Sequence, residues 1–316
     1  MEYMRLGLTG IEVSRIGFGC WAMGGHGYGK VDDNESIRAI GNALDLGINF
    51  FDTADVYGFG HSEEILAKGL GRQREKVVIA TKFGMNWDKN AKTFKDCSRK
   101  RVVKALENSL RRLKVDTIPL YQIHWPDPNT TLQETMGALI DCQKSGKIKY
   151  IGCSNFNGVL IEQIQKIGRI ESLQSSYSLL DRTVEKGVLQ CCKKFNMAFV
   201  GHSPLSRGFL SGKYKIGHKF LELDTRNESS YFSRRHLTEK KRLLDKMTKL
   251  GEHYRKTVSQ VALRWLLDNP MVTCVVVGLR NIHQVKEDIG SMDWRLSSED
   301  FKNLSIQSQM FATADS

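Results

Sequence analysis

Residues 50–82, FFDTADVYGFGHSEEILAKGLGRQREKVVIATK, hold two short apolar runs, 50–52 and 77–82, with an amphipathic stretch over 62–70 between them. Short β-type runs flanking a helical pattern signal a parallel βαβ unit, because parallel neighbours need a crossover long enough to carry the chain back. The alternation continues outward from this unit. Upstream lies 16–19, followed by a helical pattern at 36–46; downstream come apolar runs at 120–124, 150–154, 173–176, 198–202 and 274–278. Helical patterns at 99–113, 132–145, 157–167, 183–195, 238–268 (with a break) and 281–289 follow or separate them. Ser98 reads as an N-cap, and Thr131 with Glu134 as a capping box. Eight strands that each precede a helix predict an α/β chain closed as a (β/α)8 TIM barrel. An open doubly wound sheet is the alternative architecture.

Two features decorate this frame. Residues 4–6 and 11–13 flank a Thr9-Gly10 turn, which predicts an N-terminal β-hairpin closing the lower mouth of the barrel. Residues 212–237, after the seventh strand, are polar, turn-rich and too long for an ordinary strand-to-helix connection, which predicts a functional loop over the upper mouth. No linker rich in Pro, Gly or Ser divides the chain, so 1–316 is expected to form a single domain.

Composition narrows the function classes. Hydrophobic residues at 41% and charged residues at 26% describe a globular protein. No apolar run reaches the roughly 18 residues of a membrane helix, and the opening MEYMRLGLTG lacks a basic segment followed by an apolar one. A cytoplasmic protein without a membrane partner is expected. The seven cysteines are scattered without a CxxC pair, which suggests neither a disulfide framework nor a metal site. The net charge of +12 favours anionic partners. Its densest basic segment, RRHLTEKKR over 234–242, is interrupted by Glu239 and runs into a helical pattern, so it reads as a solvated helix face and no nucleic-acid partner is expected.

In a barrel the reactive groups gather where strands end at the upper face. Asp52 closes the second strand, Tyr57 follows in the next loop, Lys82 closes the third strand and His124 the fourth. A tyrosine with a reference pKa of about 10 is a poor acid at neutral pH unless a cation stabilises its phenolate. Lys82 would supply the cation, Asp52 would keep it charged and aimed, and His124 would orient a substrate oxygen. Asp52 and Lys82 could equally be a barrel-mouth ion pair, but four such residues on successive strand ends point to a proton-donating site. The glycines mislead if read alone. GGHGYGK over 24–30 is followed by Val31 where a P-loop needs Ser or Thr, and Gly17 and Gly19 lack the third glycine of a dinucleotide fingerprint.

The segments FDTADVYGFGHSEE, TKFG, IHWPDP, IGCSNF and VVVGLRNIHQ together resemble the aldo-keto reductase family over nearly the whole chain. They look most like its bacterial branch with a long seventh loop, similar to inositol-operon and general-stress reductases. The resemblance implies direct hydride transfer between NADPH (NADP+) and a small-molecule carbonyl or alcohol, with Asp52, Tyr57, Lys82 and His124 as the catalytic tetrad. It implies that Ser154, Asn155 and Gln174 hold the nicotinamide carboxamide. SPLSRG over 203–208 would wrap the pyrophosphate, with Ser203, Leu205, Arg207 and Gly208 in contact. Gly278, Leu279, Arg280, Gln284 and Asp288 would meet the adenosine end, where Arg280 suits a 2′-phosphate. His202 stands where relatives often place an aromatic ring under the nicotinamide, and Cys20 and Trp21 match residues lining the cofactor and substrate site. Trp21, Tyr28, Trp87 and Trp125 fall in upper loops and predict an aromatic-walled pocket. Two other readings keep the fold: a nucleotide-sensing regulatory subunit, and a sugar or polyol dehydrogenase running in the oxidative direction.

Overall fold

The computed structural model describes residues 1–25, 31–215, 217–222 and 224–312. Strands β1 (Tyr3–Arg5) and β2 (Glu12–Ser14) form an antiparallel hairpin. The barrel strands are β3 (Ile16–Gly19), β4 (Phe50–Asp52), β5 (Val78–Phe83), β8 (Ile118–Ile123), β9 (Ile148–Ser154), β10 (Ser172–Ser176), β11 (Ala198–His202) and β12 (Cys274–Gly278). They close in that order into one parallel barrel, with β12 pairing back onto β3 through Val275↔Ile16 and Gly278↔Gly19. A small antiparallel pair, β6 (Met85–Trp87) and β7 (Thr93–Lys95), stands on the loop after β5. The (β/α)8 barrel is therefore the fold, and the open sheet is excluded by the β12–β3 pairing.

Helices α1 (Asp33–Asp45), α2 (His61–Leu70), α3 (Arg99–Leu113), α4 (Leu132–Lys144), α5 (Gly158–Gln165) and α6 (Val188–Lys194) follow successive strands. After β11 come α7 (Leu237–Tyr254) and α8 (Val258–Asp268), and after β12 come α9 (Ile282–Ile289) and α10 (Ser298–Gln307). The expected break in 238–268 falls at Arg255, whose φ of 55° ends α7 before Thr257 and Gln260 cap α8. The stretch 183–195 also divides, at Gly187 with φ 103°, leaving a short 3-10 turn ahead of α6. Ser98 caps α3 as expected. The Thr131 box is only half made: Thr131 Oγ1 accepts from the Glu134 N–H, but Glu134 Oε1 accepts from the Arg99 N–H instead of closing on Thr131. The free first-turn amides of α3 draw the carboxylate away.

Two apolar zones share the strands. Outward residues such as Phe18, Phe51, Ile79, Tyr121, Phe199 and Val275 join the helices in the main core. Inward residues Phe50, Val78, Ala80, Leu120, Val200 and Val276 form a second cluster with Leu6 and Val13 of the hairpin, which plugs the lower end. Gly17 is glycine for this reason: a Cβ there would stand 2.8 Å from Phe50 Cδ1 and 3.1 Å from Cys274 Sγ.

The loop from Gly212 to His236 has a small core of its own. Phe232 packs on Phe209, Phe220 and Tyr214 at ring separations of 5.6, 4.8 and 5.9 Å, and Arg226 forms a buried pair with Asp224 while lying 4.0 Å over Phe220. The basic segment differs from expectation at one residue. Lys240 is buried and donates to the carbonyls of Ser230 and Ser233, which pins the loop to α7, whereas Arg234, Arg235, Lys241 and Arg242 are exposed. All seven cysteines are free. Among the described residues no helix is long and apolar enough to cross a membrane.

Candidate active site

The strand ends bring three of the four expected chemistry-bearing residues into direct contact and set the fourth beside them. Lys82 Nζ donates to Asp52 Oδ1 at 2.6 Å, to the Thr53 carbonyl at 3.0 Å and to the Tyr57 hydroxyl at 3.5 Å. The His124 ring stands edge-on to Tyr57, with centroids 5.7 Å apart. Tyr57 is carried by a tight turn in which Gly58, Phe59 and Gly60 have φ of 58°, 57° and 102°. Such a turn swings the ring back over the barrel instead of letting it follow α2.

Burial and charge set the proton affinities. Burial pushes the Tyr57 phenol above its usual range; Lys82 pulls it down and Asp52 pushes it up. The sequence expectation weighed only the cation, and desolvation is the larger effect. Burial also works against the Lys82 ammonium, but Asp52 and Tyr57 outweigh it and hold that group charged. Burial, then Lys82 and His202, drive His124 well below the usual histidine range, so its ring is neutral. Its Nδ1 is buried with no hydrogen-bond partner among the described residues.

The turn bearing Tyr57 rests on buried carboxyl–arginine contacts that sequence reasoning missed. Asp55 is buried and pairs with Arg101 of α3 at 3.0 Å, and burial together with Glu63 pushes its carboxyl up to about 8 against the pull of Arg101 and Arg112. Glu63 of α2 accepts from Arg112 Nε at 2.7 Å and from Thr81 Oγ1 at 2.6 Å. Arg101 also lies 5.5 Å from the centre of the Trp87 ring, so one guanidinium braces both the Tyr57 turn and a pocket wall. The available signal was compositional: acidic residues, Asp55 and Glu63 among them, in a segment that must pack under α3, and a helix α3 rich in arginine.

The expected cofactor contacts lie on the opposite arc. Asn155, with φ 61°, donates from Nδ2 to the His124 carbonyl and to Ser154 Oγ, each at 3.0 Å. Gln174 Nε2 donates to Asp52 Oδ2 at 2.6 Å, and Gln122 Nε2 to the same oxygen at 3.4 Å. Gln122 was not expected; its signal was a polar residue at an inward position of an otherwise apolar strand. His202 reaches Ser203 Oγ at 3.1 Å and Asn155 Oδ1 at 3.4 Å, and burial, then Lys82 and Arg207, lower it to about 4. In SPLSRG, Ser203, Ser206, Arg207 and Gly208 all have positive φ, giving a tight double turn around Leu205. Arg207 donates to the Thr225 carbonyl of the long loop at 3.2 Å and lies 5.3 Å over Trp21.

At the end of β12, Gly278 is exposed and Leu279 is buried. Gln284 Oε1 accepts from the Arg280 N–H at 2.9 Å, so that side chain serves its own turn. Asp288 is buried, which drives its carboxyl well above the usual range.

Cys20 is buried and its N–H donates to the Asp52 carbonyl at 2.9 Å. Trp21 stands 6.2 Å from Tyr57, Trp87 stands 5.4 Å from Phe59, and Trp125 is exposed at the rim with Lys95 Nζ 5.3 Å from its ring centre. Tyr28 lies outside the described residues.

The comparisons agree with this frame. The family described as "Aldo/keto reductase family" matches residues 15–307. The chain belongs to that family. The aldo-keto reductase YhdN of Bacillus subtilis is 38% identical over 96% of this chain and 92% of its own length. The NADH-specific methylglyoxal reductase of Escherichia coli is 31% identical over 95% and 96%. The solved glycerol dehydrogenase of Gluconobacter oxydans superposes with a TM-score of 0.91 at 35% identity, covering 99% of this chain and 97% of that one. As an aldo/keto reductase the chain is an oxidoreductase that works with a nicotinamide cofactor on a small molecule. The side chains gathered at the mouth suit such a cofactor: amides and a hydroxyl for a carboxamide, two arginines for phosphates, and a buried imidazole nitrogen without a partner among the described residues.

Proposed function

We propose that this aldo/keto reductase reduces an aldehyde or ketone to the alcohol with NADPH, Tyr57 giving the proton, and that residues 1–316 work as one domain. The observation that carries the reading is the chain of contacts from Asp52 through Lys82 to the Tyr57 hydroxyl, at 2.6 and 3.5 Å. Burial keeps the phenol protonated at neutral pH, and the Lys82 cation then stabilises the phenolate left after the proton moves. Positioned proton donors contribute about 100- to 10,000-fold in rate. His124, neutral and beside Tyr57, orients the carbonyl oxygen toward the hydroxyl. The reduced nicotinamide, when bound, supplies the hydride.

Ser154, Asn155 and Gln174 would hold the carboxamide. With one N–H on Asp52, Gln174 has its oxygen to offer to the amide end of that group. Cys20, Trp21, His202 and the 203–208 turn would line the nicotinamide and pyrophosphate, with Arg207 pairing phosphate oxygens. Gly278, Leu279, Arg280, Gln284 and Asp288 would flank the adenosine, and Arg280 supports NADPH over NADH. The pocket walls would be Trp21, Trp87 and Trp125, suited to a carbonyl on a ring or chain. The likeness to a glycerol dehydrogenase favours a second reading, alcohol oxidation with NADP+ through the same groups in reverse.

The test is NADPH oxidation, followed by absorbance, across aromatic and aliphatic aldehydes and sugar-like ketones, with polyols and NADP+ for the reverse direction. Turnover that prefers NADPH over NADH and falls at least 100-fold in Tyr57→Phe, with NADPH binding retained, is the expected result. Unchanged turnover in Tyr57→Phe rejects the proton donor. Tight NADPH binding with no turnover would favour a nucleotide-sensing role.

A further inference from the structure

Asp52 collects donors on both oxygens, Lys82 on Oδ1 and two amides on Oδ2. Of those amides, Gln174 has a second duty in the reading above, because it also faces the expected carboxamide. Gln122 has one. It is buried on β8, in register with Lys82 of β5 on one side and with Gly152 of β9 on the other. Its nitrogen donates to Asp52, and its Oε1 has no partner among the described residues. A buried amide with an unpaired carbonyl is costly, and a leucine of similar volume would fill this place without the cost. Gly152 makes room for it: a Cβ there would stand 2.9 Å from Gln122 Cγ and 2.6 Å from Ser172 Oγ. The wall thus gives up a side chain on one strand so that a polar one fits on the next.

We propose that Gln122 is a positioning residue of the proton-donating site, its amide holding Asp52 Oδ2 so that Oδ1 stays aimed at Lys82 and the Lys82 cation stays beside the Tyr57 hydroxyl. The inference rests on the reduction chemistry proposed above. Two neutral amides fill Asp52 Oδ2 without adding a second cation to the site, so Lys82 remains the one ammonium that answers the charge left on Tyr57. Among the described residues Gln122 bonds to Asp52 and to neither Tyr57 nor His124, so it acts through Asp52. The titratable groups around this layer are Asp52 of β4, Lys82 of β5, Tyr57 and Cys20 of the loops above, His124 after β8 and His202 of β11.

The test uses Gln122→Leu and Gln122→Glu in the full chain. Gln122→Leu is expected to lower kcat about tenfold, the effect of one charge-assisted hydrogen bond, with KM for the carbonyl and Kd for NADPH within about twofold. Gln122→Glu gives the signature that a purely structural role would not move. Protonated, its carboxyl donates to Asp52 as the amide does; ionised, it cannot donate and repels. Its kcat should approach wild type at about pH 5.5 and fall along a new limb as pH rises, a limb missing from wild type and Gln122→Leu. Wild-type kcat in folded Gln122→Leu, or equal fractional losses in both variants at every pH, would overturn the proposal. Where Gln122→Leu does not fold, Gln122→Glu alone decides.

A second arm needs no turnover. Burial beside Asp52 raises the pKa of the introduced Glu in the folded chain, so its stability is present at acid pH and lost as pH rises. This fall in Tm should shrink by at least half in an Asp52→Asn background, and an equal fall in both backgrounds overturns the contact. A protein that reduces no carbonyl would reject the proposed function while this arm still decides whether Gln122 acts on Asp52.

Discussion

The two ends of the barrel are built from the same strands and filled in opposite ways. At the lower end Phe50, Val78, Ala80, Leu120 and Val276 meet the hairpin residues Leu6 and Val13 in an apolar plug. Two residues further along the same inward faces, Phe50 gives way to Asp52, Ala80 to Lys82, Leu120 to Gln122 and Val200 to His202. Because a strand shows one face at every second residue, a single step of two separates the part that holds the barrel shut from the part that carries charge. Apolar burial needs no directed contacts and tolerates a plug of mixed shapes; the upper layer needs each donor matched to an acceptor. The lower end can therefore be read as the frame that keeps the upper end in register.

This division can be broken most sharply at Lys82. Lys82→Met is expected to lower turnover about 1000-fold or more, since the phenolate loses its cation. It should also lower Tm, because Asp52 is left as a buried charge without its partner. At this end activity and stability fall together. A variant with near-normal turnover would remove the lysine from the proposed chemistry. At the lower end they should separate: Phe50→Ala is expected to cost about 3 to 5 kcal/mol of stability, read by denaturant unfolding, while kcat per folded molecule stays within about twofold. A large loss of kcat in folded Phe50→Ala would mean that the plug reaches the chemistry.

The smallest of these effects is a change of slope with pH. His202 is held neutral down to about 4 in the folded chain against 6.5 for a free histidine. The unfolded chain therefore binds the proton first, and the stability this residue contributes is complete above pH 6.5 and drains away as pH falls toward 4. His124 acts in the same direction. His202→Gln should flatten the acid side of the Tm curve, and an unchanged slope would mean that the imidazole is charged when folded.

Much of this could be read in the sequence, and for identifiable reasons. The boundaries of β3, β4, β11, β12 and α3 follow directly from apolar runs and a cap, because those signals are local. Asp52, Tyr57, Lys82 and His124 were legible because each sits at or just past a strand end, and the fold fixes where strand ends point. Gln122, Asp55 and Glu63 were not, since their meaning lies in partners 70, 46 and 49 residues away, which no periodicity reports. The β6–β7 hairpin escaped for another reason: β7 is exposed along its whole length, so it carries no alternation to detect. Residues 298–307 lacked a strong apolar stripe, with Leu304 as the buried residue of α10.

The plug has a consequence for how the chain comes together. Leu6 and Val13 precede the first barrel strand, yet Cys274 and Val276, which belong to the same cluster, lie on the last one. The strand that zips onto β3 is likewise β12. A nascent chain that has not reached Cys274 carries two bare strand edges, β3 and β11, and a stopper made before the vessel it closes. The hairpin and β3 precede in the chain every other strand of the wall, so the ring can close only once β12 is in place to pair with β3 and β11.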